Sequence, residues 1–261
     1  MEQENITILI LITTLTVVLL VVVIIIVFSV FQNKKIKFLN EQKQAKLHFK
    51  EEIIKSQLET QEQTLQNISW ELHDNVGQLL SVASMQLNIL QPKLEEDQKK
   101  LINETGEIIS KSLQEIRSLS KLLNPEVVRN IGLDEAIQLE IDRFNRLNFI
   151  KTSFTIKGKS VVIDQKDEII LFRIVQEFLS NSVKHSKTIK LEVLTIYKTK
   201  HLIIKIQDYG VGYDKKTVKK GSGIINMKSR AKLINTNIKL KSEKDKGVCL
   251  TLTYPLTQNN V

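Results

Sequence analysis

Trp70-Glu71-Leu72-His73-Asp74-Asn75-Val76-Gly77-Gln78-Leu79-Leu80 places an imidazole, an adjoining carboxylate and an amide on one stretch of helix-forming sequence. Asp74 and Gln78 stand one helical turn apart and share a face. A lone His-Asp pair is more often an exposed pair on a coil than a reaction centre. This one is followed by Glu177-Phe178-Leu179-Ser180-Asn181-Ser182-Val183-Lys184-His185, then Asp208-Tyr209-Gly210-Val211-Gly212, then Gly221-Ser222-Gly223. A candidate phosphate acceptor precedes a candidate nucleotide site, and that order decides the reading.

Working outward, residues 6–31 form an uncharged apolar run. As a helix this run rises about 39 Å, against a hydrocarbon core of about 30 Å, so it spans a bilayer with tilt. The preceding Met1-Glu2-Gln3-Glu4-Asn5 is acidic, unlike the basic start of a cleaved signal peptide. Lys34, Lys35 and Lys37 follow at once and predict an N-terminus outside and a cytoplasmic remainder in a single-pass inner-membrane protein. With only about five residues expected outside, no extracellular ligand-binding domain is expected. Input then comes through the span, the cytoplasmic coil or an accessory membrane sensor protein.

The net charge is +9. The lysines are scattered, with no basic helix, aromatic stacking platform or zinc-ligand spacing, so direct nucleic-acid binding is not expected. A Lys-rich surface near anionic lipid accounts for the charge. Cys249 is the only cysteine, which rules out an intrachain disulfide and suits a reducing compartment; it reads as a small core residue of a strand.

Residues 32–64 read as a cytoplasmic coiled-coil linker and 65–123 as a helical hairpin. Leu58, Leu65, Ile68, Leu72, Leu79 and Val82 follow a coiled-coil spacing, interrupted by Gln61 and Asn75, in a helix expected to run unbroken from Phe38 to Leu90. That spacing puts His73 on the flank of the bundle. Gln91-Pro92 ends the helix. A second, from about Glu95 to Leu123, has Leu101, Ile108, Ile109, Leu113, Ile116 and Leu119 as its apolar face. Two such helices cannot bury their stripes alone, and pairing two hairpins gives a dimeric four-helix bundle.

Asn124-Pro125 begins a linker, 124–132, and 133–258 reads as an α+β domain with helices on one face of a mixed sheet. Helices are expected over Leu133–Leu147, Asp167–Lys184 and Gly223–Ile234. Strands are expected over Lys151–Ile156, Val161–Ile163, Thr188–Tyr197, Leu202–Gln207, Ile238–Leu240 and Val248–Tyr254.

In that domain Glu177, Asn181 and Lys184 or His185 fall on one helical face. A carboxylate and an amide oxygen suit Mg²⁺, which takes few protein ligands beside phosphate and water. Asp208 ends an apolar strand, where it can accept from a purine amino group, and Gly210 and Gly212 allow close backbone approach. Gly221-Ser222-Gly223 opens a helix whose amides can hold phosphate. The intervening Tyr213–Lys220 stretch suits a lid. Each motif alone is an ordinary polar stripe or turn, but three in order on the expected elements form a specific set.

Glu177…Asn181, Asp208-x-Gly210-x-Gly212 and Gly221-x-Gly223 resemble the asparagine box and glycine boxes of the ATPase fold shared by histidine kinases, DNA gyrase and a heat-shock chaperone. With His73-Asp74-x-x-x-Gln78 and Asn124-Pro125…Gly132-Leu133, the set resembles the NarX/DesK-like class of sensor histidine kinases over roughly Glu71 to Tyr254. Lys246-Gly247-Val248 departs from the last glycine motif, which often continues with a hydroxyl residue.

The resemblance implies a homodimer that binds ATP with Mg²⁺ at Asn181 and Glu177. Lys184 and His185 would contact phosphate, and Asp208 would read adenine. His73 would accept the phosphoryl group with Asp74 as general base. A cognate response regulator with a helix-turn-helix output domain would then take it onto an aspartate, and Gln78 would orient water for the reverse dephosphorylation. A competing reading is a non-catalytic, membrane-tethered ATP-binding switch or scaffold. A DNA-acting ATPase of the gyrase kind is disfavoured by the span and by His73.

Overall fold

The computed structural model describes residues 2–146, 150–188, 190–213 and 222–256. The chain forms two compact units, residues 1–56 and 57–261. The first is helical, the opening part of α1 (Glu2–Glu71). Its described apolar side chains from Leu15 to Phe31 are all exposed. A helix apolar on every side has no stripe to bury against a protein core. By length and composition this is a helix able to cross a membrane.

In the second unit α1 ends in a π-helical turn, Leu72–Val76, followed by α2 (Gly77–Leu90), a 3₁₀ turn (Gln91–Lys93) and α3 (Glu96–Leu123). The Gly77 amide donates to the Leu72 carbonyl, five residues back. The helix through the expected seam is therefore not regular throughout. The covered side of the helix runs Leu65, Ser69, Leu72, then Gly77, Leu80, Ser84 and Leu87. Every step is three or four residues except the one across the π turn, which is five. That extra residue turns Leu79 out to 70% exposure, and Ile68 and Val82 are also exposed. Asn75 is exposed as well and lies in the turn. On α3, Ile109, Leu113, Ile116 and Leu119 are partly covered while Leu101 and Ile108 face solvent. Ser69 and Ser120 clamp the hairpin: the Ser69 hydroxyl donates to the Ser120 carbonyl at 2.9 Å and the Ser120 hydroxyl to the Ser69 carbonyl at 2.8 Å.

The expected linker contains a helix, α4 (Pro125–Ile131). Asn124 caps it by accepting from the Glu126 amide at 2.9 Å, Pro125 takes the first helical position, and Gly132 ends it at φ 81°. The Asn-Pro pair that breaks one helix starts the next. Val128 then buries completely.

The α+β part comprises α5 (Leu133–Arg146), β1 (Lys151–Lys157), α6 (Gln165–His185), β2 (Lys190–Tyr197), β3 (His201–Asp208), α7 (Ser222–Leu233), β4 (Asn237–Glu243) and β5 (Gly247–Pro255). The sheet order is β1-β2-β3-β5-β4, with β1 parallel to β2 and the other pairs antiparallel. Alternate residues of β2, β3 and β5 point inward against Phe172, Val175, Leu179 and Ile137. The three residues 161–163 are not a strand. Ile163 buries, Val162 stays exposed, and Asp164 immediately caps α6 by accepting from the Lys166 amide. Cys249 lies in β5 as expected, but the alternation turns it to the outer sheet face, where it is half-buried.

Arg173, on α6 and 2% exposed, joins the hairpin to the α+β part. Its guanidinium donates to Glu62 of α1 at 2.9 Å and to the Leu122 and Leu123 carbonyls at the end of α3, both at 2.7 Å. Arg230 of α7, also buried, donates to Gln61 at 3.0 Å and to Glu62 at 3.4 Å. Burial pulls the Arg230 guanidinium below its ordinary range, and Glu62 opposes the shift. Glu62→Ala should therefore leave two buried guanidinia without their carboxylate and weaken this packing by about 2–3 kcal/mol. Hydrogen exchange should accelerate over the end of α3 and over α4; unchanged exchange there would contradict this role for Glu62.

Candidate functional site

Helix α6 holds one wall of the site. Its apolar face (Leu171, Phe172, Val175, Phe178, Leu179) anchors in the core. That leaves Glu177 and Asn181 on the side turned to α7, where the Asn181 amide nitrogen donates to Glu177 Oε1 at 3.0 Å. The end of β3 holds the floor. Leu202, Ile204, Ile206 and Asp208 share the inward face, so strand alternation alone drives the Asp208 carboxylate inside, to 1% exposure. Its Oδ1 accepts from the Gly210 amide at 2.6 Å.

These elements enclose a cleft of about 440 Å³. Asn181, Ser182, His185, Asp208, Gly212 and Gly223 contribute polar or backbone surface to it, and Phe178, Ile224, Met227, Leu240 and Val248 contribute apolar surface. An apolar slot with a few placed polar groups suits a flat heteroaromatic ring carrying a polar edge. Gly223 lies so close to Glu177 and Asn181 that a Cβ there would collide with the Glu177 carboxylate and stand 3.0 Å from the Asn181 amide nitrogen.

Among the expected site residues, the structure gathers Asn181, His185, Asp208, Gly212 and Gly223 into this cleft, with Glu177 bonded to Asn181 and Gly210 bonded to Asp208. Lys184 is exposed and does not line it. Gly221 and the expected lid over 214–220 lie outside the described residues. His73, Asp74 and Gln78 sit on the hairpin and line no part of the cleft. His73 Nδ1 is 2.8 Å from Asp74 Oδ1, with both side chains about two-thirds exposed at 66% and 67%. Gln78 is exposed on the first turn of α2.

Several contributors to the cleft carry no motif in the sequence. Tyr213, Met227 and Leu240 line the cleft, and burial holds the Tyr213 phenol above its ordinary range. Gly247 matters through its backbone: it adopts φ +80° and an added Cβ would collide with the Asp208 carbonyl. It therefore lets β5 start flush against the residue that forms the floor, a role that does not depend on the residue after it.

A family description of histidine kinases matches residues 65–128, and one of histidine kinase-, DNA gyrase B- and HSP90-like ATPases matches residues 166–258. Hairpin then ATPase domain, in that order, is the arrangement expected of a sensor histidine kinase of the NarX/DesK type, and the two matches fall in that order. The oxygen sensor histidine kinase NreB of Staphylococcus carnosus (strain TM300) is 28% identical over 214 residues, 80% of this chain and 61% of the relative's own length. The histidine kinase domain of the blue-light activated histidine kinase from Erythrobacter litoralis EL346 aligns with a TM-score of 0.45 at 13% identity, covering 69% of this chain and 95% of that one. A second structure of that kinase gives 0.43 at 14% identity, covering 67% and 60%.

Gly247→Ala should weaken ATP binding by about tenfold or more, equivalent to about 1.4 kcal/mol. Gly106→Ala on α3, where an added Cβ meets nothing within 4 Å, should leave it unchanged. Titration calorimetry of both variants checks this, and equal affinities would contradict the role given to Gly247.

Proposed function

We propose that this protein is a membrane-anchored, homodimeric sensor histidine kinase that phosphorylates itself on His73 with ATP and passes the phosphoryl group to an aspartate of a response regulator. The observation that carries the reading is a nucleotide-sized cleft bearing Asn181 and Asp208 in a chain whose exposed His73 is hydrogen-bonded to a carboxylate through Nδ1. With Asp74 ionised, Nδ1 carries the ring proton and Nε2 keeps its lone pair for attack. The Nε2–phosphorus bond forms as the bond from the γ-phosphorus to the bridging oxygen breaks, ADP leaves, and the Nδ1 proton passes to Asp74.

On the ATP side, Asp208 accepts from the adenine amino group while Met227, Leu240 and Val248 exclude water from the ring. His185 lies at the phosphate end, and exposed Lys184 reaches phosphate only from outside the cleft. Mg²⁺ would be held by Asn181 with Glu177 close by, and it would neutralise charge on the phosphate oxygens. The donor set fits: because the Asn181 nitrogen donates to Glu177, its carbonyl oxygen is left for a hard cation. Among the described residues there is no cluster of three or more His, Cys, Asp or Glu side chains able to hold a metal, in keeping with an ion bound mainly through phosphate and water.

Exposed Ile68, Val76, Leu79, Val82, Met85 and Ile89, with Leu101 and Ile108, supply the apolar surface that a second hairpin would cover. Gln78, following Asp74 by four residues, would orient water onto the regulator's aspartyl-phosphate. The apolar helix would anchor the chain with its N-terminus outside, as Lys34, Lys35 and Lys37 favour. The regulator would carry a helix-turn-helix output domain, and an accessory membrane protein is a candidate source of input.

With γ-labelled ATP and Mg²⁺, the full chain in lipid should acquire acid-labile, base-stable label that His73→Gln abolishes. Label persisting in His73→Gln would reject His73 as acceptor. Gln78→Ala should keep the label yet slow regulator dephosphorylation about tenfold or more, within the range of a lost water-positioning group; an unchanged rate would remove the phosphatase role.

A further inference from the structure

We propose that the π turn at Leu72–Val76, clasped by the hydrogen bond from Asn75 to Glu71, is what lets Asp74 hold the imidazole of the residue directly before it, making Asn75 and Glu71 positioning residues for phosphorylation of His73. This rests on the kinase reading above. In an α-helix, side chains at consecutive positions splay about 100° apart and do not face one another. Yet His73 Nδ1 and Asp74 Oδ1 stand 2.8 Å apart. A π turn closes its hydrogen bond over five residues instead of four, so it winds more slowly and brings neighbouring side chains round toward each other. Both side chains are about two-thirds exposed, so it is the backbone turn rather than surrounding packing that sets their geometry.

The extra residue is surplus to the hairpin. The covered positions advance by three or four along Leu65, Ser69 and Leu72 and again along Gly77, Leu80, Ser84 and Leu87. A four-residue step from Leu72 would continue that side without interruption. The turn thus carries a residue that packing does not require, at the point where the chain carries its acceptor. The clasp spans it: the Asn75 side-chain amide donates to Glu71 Oε2, joining the residue before the turn to one within it. The consequence is chemical. Asp74 fixes the Nδ1–H tautomer, leaving Nε2 as the nucleophile. An unrestrained imidazole distributes its proton over both nitrogens.

The test uses the full chain in lipid with ¹⁵N-labelled histidine. Wild type should show His73 as the Nδ1–H tautomer. Deleting Asn75 turns the five-residue step into four, so the hairpin should keep its packing while losing the π turn. The Nδ1–H signature should then be lost, and labelling of His73 should fall about a hundredfold, the scale of a general-base contribution. Glu71→Ala should reduce both readouts, and Glu71→Gln, which keeps an acceptor oxygen, should restore them. An Asn75 deletion that folds and keeps both tautomer and rate overturns the proposal. If the deletion does not fold, identical tautomer signatures for Glu71→Ala and Glu71→Gln overturn it. A wild type that shows the Nδ1–H tautomer but takes no label would instead overturn the kinase reading and leave the turn's role in place.

Discussion

A guanidinium sealed between domains must find an acceptor for nearly every N–H it carries, and Arg173 is the residue on which that demand falls. Its donors go to the Glu62 carboxylate, to Gln176 and to the last two carbonyls of α3. Those carbonyls have no partner within their own helix, so one side chain caps α3 and pins α6 to it. Arg173 and Asn181 are eight residues apart on α6, about 12 Å along a single rigid element. The element that docks the ATPase domain is therefore the one that carries the cleft wall.

Arg230 extends the same constraint to the opposite wall. It sits on α7, which also carries Gly223 and Met227, and it shares Glu62 with Arg173. One carboxylate thus faces two buried guanidinia, one from each helix that lines the cleft. Such an arrangement contributes more to specificity of docking than to net stability, because both cations are desolvated to make it. Glu62 thus ties both cleft-lining helices to the helix that, eleven residues on, carries His73.

Much of this was legible in the sequence. Helices and strands followed hydrophobic period, and the Asn181, Asp208 and Gly223 motifs fell on the elements their chemistry needs. The illegible parts have physical reasons. Arg173 and Glu62 look like surface charges in a one-dimensional string, since nothing in their neighbourhood marks them as partners across 111 positions. Gln61 reads as a flaw in a seam but serves as an acceptor for Arg230. Asn124-Pro125 reads as a break because the cap and first-turn role of the same pair needs the following helix to be seen. The π turn hides because Leu72 and Leu79 satisfy a seven-residue repeat by themselves. Only the five-residue step from Leu72 to Gly77 betrays it, and that step becomes visible once burial is known.

If Asp74 holds Nδ1 as proposed, Nε2 of His73 takes the phosphoryl group. The most direct measurement is ³¹P and ¹⁵N NMR of the phosphorylated full chain, which distinguishes the two ring positions. Phosphorus should be bonded to Nε2, with the Nδ1 proton passed to Asp74 or shared with it. Phosphorus on Nδ1, or on any residue other than His73, would contradict it.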